Sequence, residues 1–286
     1  MNTVKIKAYA KVNLTLDVLG TEGGYHQLDS FVASLDLYDL IVVKKRKDPL
    51  IFVTMHGQGS ESIPPEKNNA QKAGEKFVER FQTTGADITV YKNIPIGGGL
   101  GGSSADISGV LNGLSRLYGV DEPSVKTLAD ELGSDTGYML TGGFARISGR
   151  GEKVERIAGK EKLHLFLLCP KTSVSSGECY KKYDERGRTY PPATNDALTA
   201  YLAGDFETLG KSLSNHLFES AKELNGDVAQ AVSELSAFSP LGVSMTGSGS
   251  TAFALFENKE YCEWAKSRYE GKFRAIVAET VVPRIK

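Results

Sequence analysis

Along the first fifty positions apolar side chains mostly keep a period of two. Val4, Ile6 and Ala8 alternate with Thr3, Lys5 and Lys7 as in a half-buried strand, which predicts a strand over 3–9 and a second over 13–19. Gly20-Thr-Glu-Gly-Gly-Tyr-His reads as a turn. A third segment over 29–43 carries Phe31, Val32, Leu35, Leu37, Leu40, Ile41, Val42 and Val43, and the charged run 44–48 reads as a solvated turn. A strand is expected over 51–55 and a loop over 57–65. The period then lengthens. Ala70, Ala73, Phe77, Val78 and Phe81 predict a helix over 68–81, and Ile88 and Val90 a short strand. Ile107, Val110, Leu111, Leu114, Leu117 and Tyr118 predict a helix starting near Ser103, followed by helix 124–132 and a strand over 142–151. In the second half, strands are expected over 163–168, 243–245, 251–256 and 274–280. Helices are expected over 176–183, 196–202, 206–217, 227–238 and 261–269.

Between the strand near Val90 and the helix from Ser103 lies Asn93-Ile-Pro-Ile-Gly-Gly-Gly-Leu-Gly-Gly-Ser-Ser-Ala, with five of the 31 glycines inside Gly97–Gly102. Glycine accepts positive φ and lets backbone N–H groups approach a ligand without a Cβ in the way. A helix N-terminus adds unpaired N–H groups and the positive end of its dipole, so the stretch suits phosphate. A plain flexible turn is the bland alternative. Gly97, Gly99 and Gly102 also spell the dinucleotide fingerprint G-x-G-x-x-G. That motif belongs in the first strand-turn-helix of a parallel sheet with an acid some twenty residues on. Here it lies a third of the way along and is followed by the loop Gly119-Val-Asp-Glu-Pro, so an NAD-dependent oxidoreductase is the weaker reading.

Length and charge narrow the class. A chain of 286 residues is expected to form two domains, split within Ala158-Gly-Lys-Glu-Lys into 1–157 and 158–286. With 40% hydrophobic residues, 24% charged residues and a net charge of -1, nothing favours nucleic acid or an anionic membrane. No stretch has the length of a membrane span or the apolar core of a signal peptide, so a cytoplasmic monomer or homodimer is expected. Cys169, Cys179 and Cys262 lack paired spacing, which argues against disulfides and a zinc site. The four histidines are scattered, and neither G-x-S-x-G nor H-E-x-x-H occurs. The near-Walker run Gly204, Gly210, Lys211, Ser212 has one residue too many and falls on an amphipathic helix.

A second glycine cluster, Thr246-Gly-Ser-Gly-Ser-Thr, is by itself an ordinary turn signal. Together with Lys11 before an early strand and the P-x-x-x-G-L-G-G-S-S-A loop, it resembles the GHMP kinases, the superfamily of galactokinase, homoserine kinase and mevalonate kinase. Ala10-Lys-Val-Asn-Leu-Thr-Leu-Asp-Val-Leu-Gly, Gly24-Tyr-His-Gln-Leu, Leu132-Gly-Ser-Asp and Gly142-Gly-Phe-Ala-Arg-Ile-Ser-Gly-Arg-Gly-Glu look like the family of 4-diphosphocytidyl-2-C-methyl-D-erythritol kinases of non-mevalonate isoprenoid synthesis. The chain departs from that family at Ser103, at the short turn before Tyr25 and at Thr136-Gly137, and the residues around the turn and the aspartate are those that would shape the acceptor pocket.

The resemblance implies an α/β (α+β) fold of two domains, the first like ribosomal protein S5 and the second ferredoxin-like, with the active site in the cleft between them. It implies ATP and Mg²⁺ as cofactors and phosphorylation of the 2-hydroxyl of a cytidine-linked alcohol. Pro95, Gly97, Gly98, Gly99, Leu100, Gly101, Gly102, Ser103 and Ser104 would hold ATP phosphates, with Ser103 or Ser104 near the metal. Asp135 would accept the hydroxyl proton, and Lys11 would keep that carboxylate charged. The structural alternatives are a helix cap for Asp135 and a solvated side chain for Lys11. Tyr25, His26 and Tyr180 would hold the cytosine, Asn68 and Lys92 would lie near the adenine, and Asn13, Gly247 and Ser248 would border the acceptor. A nucleotide-binding protein without catalysis is a third possibility, against which the presence of both Lys11 and Asp135 speaks.

Overall fold

The computed structural model describes residues 2–57, 59–60, 68–159 and 161–283. The expected loop 57–65 lies largely outside them. Strands β1 (Thr3–Asn13) and β2 (Thr15–Glu22) follow one another along one edge of β3 (Tyr25–Lys45), a 21-residue strand that pairs antiparallel with both. The predicted turn 20–26 contracts to Gly23 and Gly24, at φ 57° and 81°. Two positive φ values in a two-residue loop match the twist of a tight hairpin, so Tyr25 and His26 join the strand. Edge strand β4 (Ile51–His56) runs parallel to β5 (Ala86–Tyr91), which pairs antiparallel with β3. Farther along β3 lies β6 (Phe144–Gly149), continued by β7 (Lys153–Arg156).

Helices of the first half, α1 to α4 in chain order, cover this eight-stranded sheet or pack beside it. In α1 (Asn69–Phe81), the Asn68 side chain accepts N–H bonds from Ala70 and Gln71 and fixes the start. The next helix, α2 (Gly102–Tyr118), ends at Gly119 in the left-handed conformation. Gly109 and Gly113 lie one turn apart on its inner face, where a Cβ would strike Ile41 and Val43, so α2 lies unusually close to β1 and β3. Behind it come α3 (Glu122–Leu132) and the single turn α4 (Thr136–Met139).

The second half builds a four-stranded antiparallel sheet in the order β10 (Gly242–Met245), β11 (Ala252–Phe256), β8 (His164–Cys169), β12 (Arg274–Glu279). Helices α5 (Ser176–Arg186), α6 (Thr194–Ala203), α9 (Gly226–Ser236) and α10 (Lys259–Arg268) match the expected segments to within a few residues. The helix expected over 206–217 does not run through. It stops as α7 (Phe206–Lys211), and Ser214–Asn215 pair parallel with Thr15–Leu16 as the short strand β9, before α8 (Phe218–Leu224). The cause is tertiary: His216 N–H donates to the Leu16 carbonyl, and the Asn215 amide donates to the Met245 and Gly247 carbonyls.

Leu165, Leu167, Phe253 and Leu255 from the second sheet share one buried cluster with Phe31, Leu35, Leu100 and Leu111 of the first half. Each large apolar side chain fully buried there contributes roughly 1.5–3 kcal/mol, so this continuous core holds the two sheets together. Among the described residues no helix is long and apolar enough to cross a membrane.

Candidate functional site

The loop from Pro95 to Gly101 joins β5 to α2. Gly97, Gly99 and Gly101 have φ of 69°, 77° and 72°, a conformation other residues rarely adopt. Helix α2 begins after Gly101 with no side-chain cap and no acid in its first turn. Its leading N–H groups and dipole therefore favour an anion. The glycines are also demanded by protein neighbours. A Cβ on Gly99 would strike the Thr246 carbonyl and one on Gly98 the Thr251 hydroxyl. Thr251 N–H donates to the Gly98 carbonyl at 3.1 Å, and the Thr246 hydroxyl donates to the Gly99 carbonyl at 3.3 Å. The two glycine clusters, remote in sequence, thus interlock.

Lys11 follows a register shift in the β1–β3 ladder between Tyr9 and Lys11, an irregularity of the kind that re-aims side chains near sites. Its ammonium is buried, donates to Asn13 Oδ1 at 2.6 Å and lies 3.5 Å from Asp135 Oδ2. It is not a solvated lysine. Asp135 occupies the N-cap position of α4 yet makes no capping hydrogen bond, and its side chain is 36% exposed. The capping alternative fails on that geometry. Asn13 is held from all sides: Oδ1 also accepts from Gly247 N–H at 3.0 Å, and Nδ2 donates to the Ser30 hydroxyl at 2.8 Å.

Around this pair opens a cavity of about 790 Å³ lined by Lys11, Asn13, Tyr25, His26, Asp135, Arg150, Ser176, Tyr180, Gly247 and Ser248, among others. Tyr25 is 58% exposed, and the Arg150 guanidinium lies 4.7 Å from its ring centroid. His26 stacks on Tyr180 with centroids 4.6 Å apart, and its Nε2 meets Asp184 at 2.8 Å. Burial, reinforced by the Asp135 charge, pushes the Tyr180 phenol well above its ordinary value, so Tyr180 stays neutral. Ser248 pairs with Ser176 at 2.9 Å.

A second cavity of about 340 Å³ is lined by Asn68, Lys92, Pro95, every residue from Gly97 to Ser104, and Asp106. Gly99, Gly101 and Ser104 border both cavities, so the two meet beside Lys11 and Asp135. Asn68 Oδ1 is engaged in capping α1. Lys92 is buried between Asp39 and Asp106. Burial raises Asp106 to about 7 against the opposing pull of Lys92, whereas the two carboxylates overcome burial and hold Lys92 above its ordinary value. Ser103 Oγ accepts from the Asn69 amide at 2.6 Å. Among the described residues no group of three or more acidic, histidine or cysteine side chains is placed to hold a metal.

Comparison with known proteins fits this geometry. The GHMP kinases N terminal domain matches residues 68–145, and the GHMP kinases C terminal domain matches residues 197–269. The chain belongs to the GHMP kinases. This GHMP kinase is 35% identical over 281 residues to a 4-diphosphocytidyl-2-C-methyl-D-erythritol kinase of Caldicellulosiruptor saccharolyticus, with 96% of each chain covered. It is 36% identical over 262 residues to the protein of that name from Caldanaerobacter subterraneus, covering 90% of this chain and 89% of that one. Among solved structures, a 4-(cytidine 5'-diphospho)-2C-methyl-D-erythritol kinase superposes with a TM-score of 0.80 at 28% identity, covering 97% and 99% of the two chains. The homoserine kinase of Cytophaga hutchinsonii shares the fold, with a TM-score of 0.75 at 17% identity.

The oxidoreductase reading fails on topology as well. The GHMP kinase's glycine loop and α2 follow β5, but the next strand, β6, does not pair with β5; both run antiparallel to β3, whereas a dinucleotide fingerprint requires the strands on either side of its helix to be parallel neighbours. Several residues that shape the site were given no role in the sequence reading. Thr246 and Arg150 lie inside motifs noted there, but nothing local says that Thr246 fixes the second glycine loop or that Arg150 covers Tyr25. Asn215, which holds that loop, and Asp39 and Asp106, which bracket Lys92, are single polar residues that only the tertiary fold brings to the cleft.

Proposed function

We propose that this GHMP kinase transfers the γ-phosphoryl group of ATP to the 2-hydroxyl of 4-diphosphocytidyl-2-C-methyl-D-erythritol. The observation that carries the reading is the Lys11–Asp135 pair, 3.5 Å apart where the two cavities meet. The smaller cavity takes ATP, its phosphates against the glycine loop and the α2 N-terminus. The larger takes the acceptor, with Tyr25, His26 and Tyr180 offering aromatic surface to a flat base. The choice of acceptor is supported by the names of the relatives above and by that aromatic wall.

Phosphoryl transfer asks the protein for alignment and charge stabilisation more than for covalent chemistry. Asp135, uncapped and open to the cavity, takes the proton from the acceptor hydroxyl. The hydroxyl oxygen then bonds to the γ-phosphorus as the bond from that phosphorus to the β-bridging oxygen breaks, leaving ADP. Lys11, fixed by Asn13, keeps the carboxylate charged and faces the transferring oxygens. Mg²⁺ would neutralise phosphate charge. The donors present suit an ion held mainly by the nucleotide's own phosphates, with the Ser104 hydroxyl, which borders both cavities, or that of Ser103 as protein ligand.

The test is ATP consumption by the purified chain across a panel of alcohols that includes the cytidine-linked one, homoserine and mevalonate. Turnover with the cytidine compound alone is expected. Turnover with another alcohol in its place would make the protein a GHMP small-molecule kinase of different specificity.

A further inference from the structure

Behind the smaller cavity lies an ionic cluster that the transfer chemistry leaves unused. Lys92 Nζ donates to Asp39 Oδ2 at 2.5 Å and to Asp106 Oδ2 at 2.6 Å, and the three side chains are 4%, 0% and 6% exposed. The other oxygen of Asp39 accepts the backbone N–H groups of Asn93 at 2.5 Å and Ile94 at 2.8 Å, the residues that lead into the glycine loop. Asp106 stands in the second turn of α2, the helix that leaves the loop. A Cβ on Gly102, the first residue of that helix, would lie 3.7 Å from the ammonium. One cation therefore ties the strand entering the loop, the helix leaving it and the central strand β3.

We infer that Lys92 is a positioning residue that fixes the separation of the two ends of the phosphate loop and so acts on the nucleotide's phosphates, not on its base. The inference rests on the assignment of the loop to phosphate. A buried ammonium already hydrogen-bonded to two aspartate side chains has little to offer an adenine, because pulling it away would leave buried polar groups without their partner. Backbone donors that grip phosphate oxygens depend instead on being held to within about 0.5 Å, which a buried ionic tie between both loop ends supplies.

The inference separates from a base contact by using a ligand without a base. In the full-length enzyme, Lys92→Met combined with Asp106→Asn removes the tie while Asp39 keeps its two backbone donors. Affinity for ATP and the inhibition constant of inorganic tripolyphosphate should weaken by the same factor, roughly tenfold or more for a loop displaced by a fraction of an ångström. The preference for ATP over GTP and the KM for the acceptor should stay as in the wild type. Should melting show the double variant unfolded, the isosteric Asp106→Asn carries the same comparison with a smaller common factor. Weakened ATP binding with tripolyphosphate inhibition unchanged would assign Lys92 to the base, and no change in either ligand would leave it no role; both overturn the inference. A wild-type enzyme that ignores tripolyphosphate would instead sink the assignment of the loop to phosphate.

Discussion

Replacing Asp135 by asparagine separates catalysis from stability more cleanly than any other single change. Asp135 makes no capping bond, and its partner Lys11 is 3.5 Å away with the carboxylate 36% exposed. The carboxylate end of the pair is solvent-screened, and the buried ammonium keeps its bond to Asn13 Oδ1, so the change should cost about 1 kcal/mol and move the melting temperature by no more than a few degrees. The chemical step loses its proton acceptor, which typically provides 10²–10⁴-fold, or about 3–5 kcal/mol of barrier. Lys11→Met should slow turnover by a similar factor. It also removes one of the donors to Asn13 Oδ1, but Gly247 N–H remains, so about 1–2 kcal/mol of stability is at stake. Because both groups act on one transferring proton and phosphoryl group, the double variant should turn over within a few-fold of the poorer single one. Steady-state kinetics, nucleotide titration and thermal melts on the four proteins decide the matter. A nearly active Asp135→Asn enzyme, or losses that multiply in the double variant, would refute the reasoning.

Three further outcomes follow from the same geometry. Tyr25→Ala should leave folding and ATP affinity nearly unchanged, since the ring is 58% exposed, but weaken the cytidine-linked acceptor by about 1–3 kcal/mol; isothermal titration with each ligand checks it, and equal losses for both would make Tyr25 structural. Gly99→Ala should cost about 1–3 kcal/mol of stability together with ATP binding, because the added Cβ meets the Thr246 carbonyl at a φ of 77°; an unchanged melting temperature would contradict the interlocked loops. Burial holds Asp106 above the ordinary carboxylate range against the pull of Lys92, so just above that range the folded enzyme keeps a proton that the unfolded chain has released, and this group's contribution to ligand-free stability should fall as pH rises toward neutrality. Denaturant melts at several pH values should show that fall, and Asp106→Asn should flatten it.

Much of the fold was legible where the pattern of apolar residues is strong. The inward faces of α1 and α2 follow from their periodicity, and the glycine loop announces a helix N-terminus. Reading failed where tertiary contacts override local preference. Phe206, Leu209 and Leu213 keep a helical period, yet the chain leaves the helix at Lys211 so that Ser214 and Asn215 can pair with β2 and hold the second glycine loop. The hairpin at Gly23–Gly24 is tighter than its glycine-rich surroundings suggested, which draws Tyr25 and His26 into β3. Lys11 and Asp135 were nameable only through their motif context, since nothing local says that one is buried and the other uncapped. Gly98 and Gly99 were read as room for phosphate, but the atoms that exclude a Cβ belong to Thr251 and Thr246, some 150 residues away in sequence and so invisible to a local reading.

The central claim is that one cleft brings ATP and a cytidine-linked alcohol to Asp135. Its most direct test is phosphorus NMR of a reaction containing the purified enzyme, Mg-ATP and 4-diphosphocytidyl-2-C-methyl-D-erythritol, run beside the Asp135→Asn variant. The account predicts a new phosphomonoester on the 2-hydroxyl, formed in step with ADP by the wild type and at least a hundredfold more slowly by the variant. ADP without that ester, or equal rates from the two proteins, would contradict it.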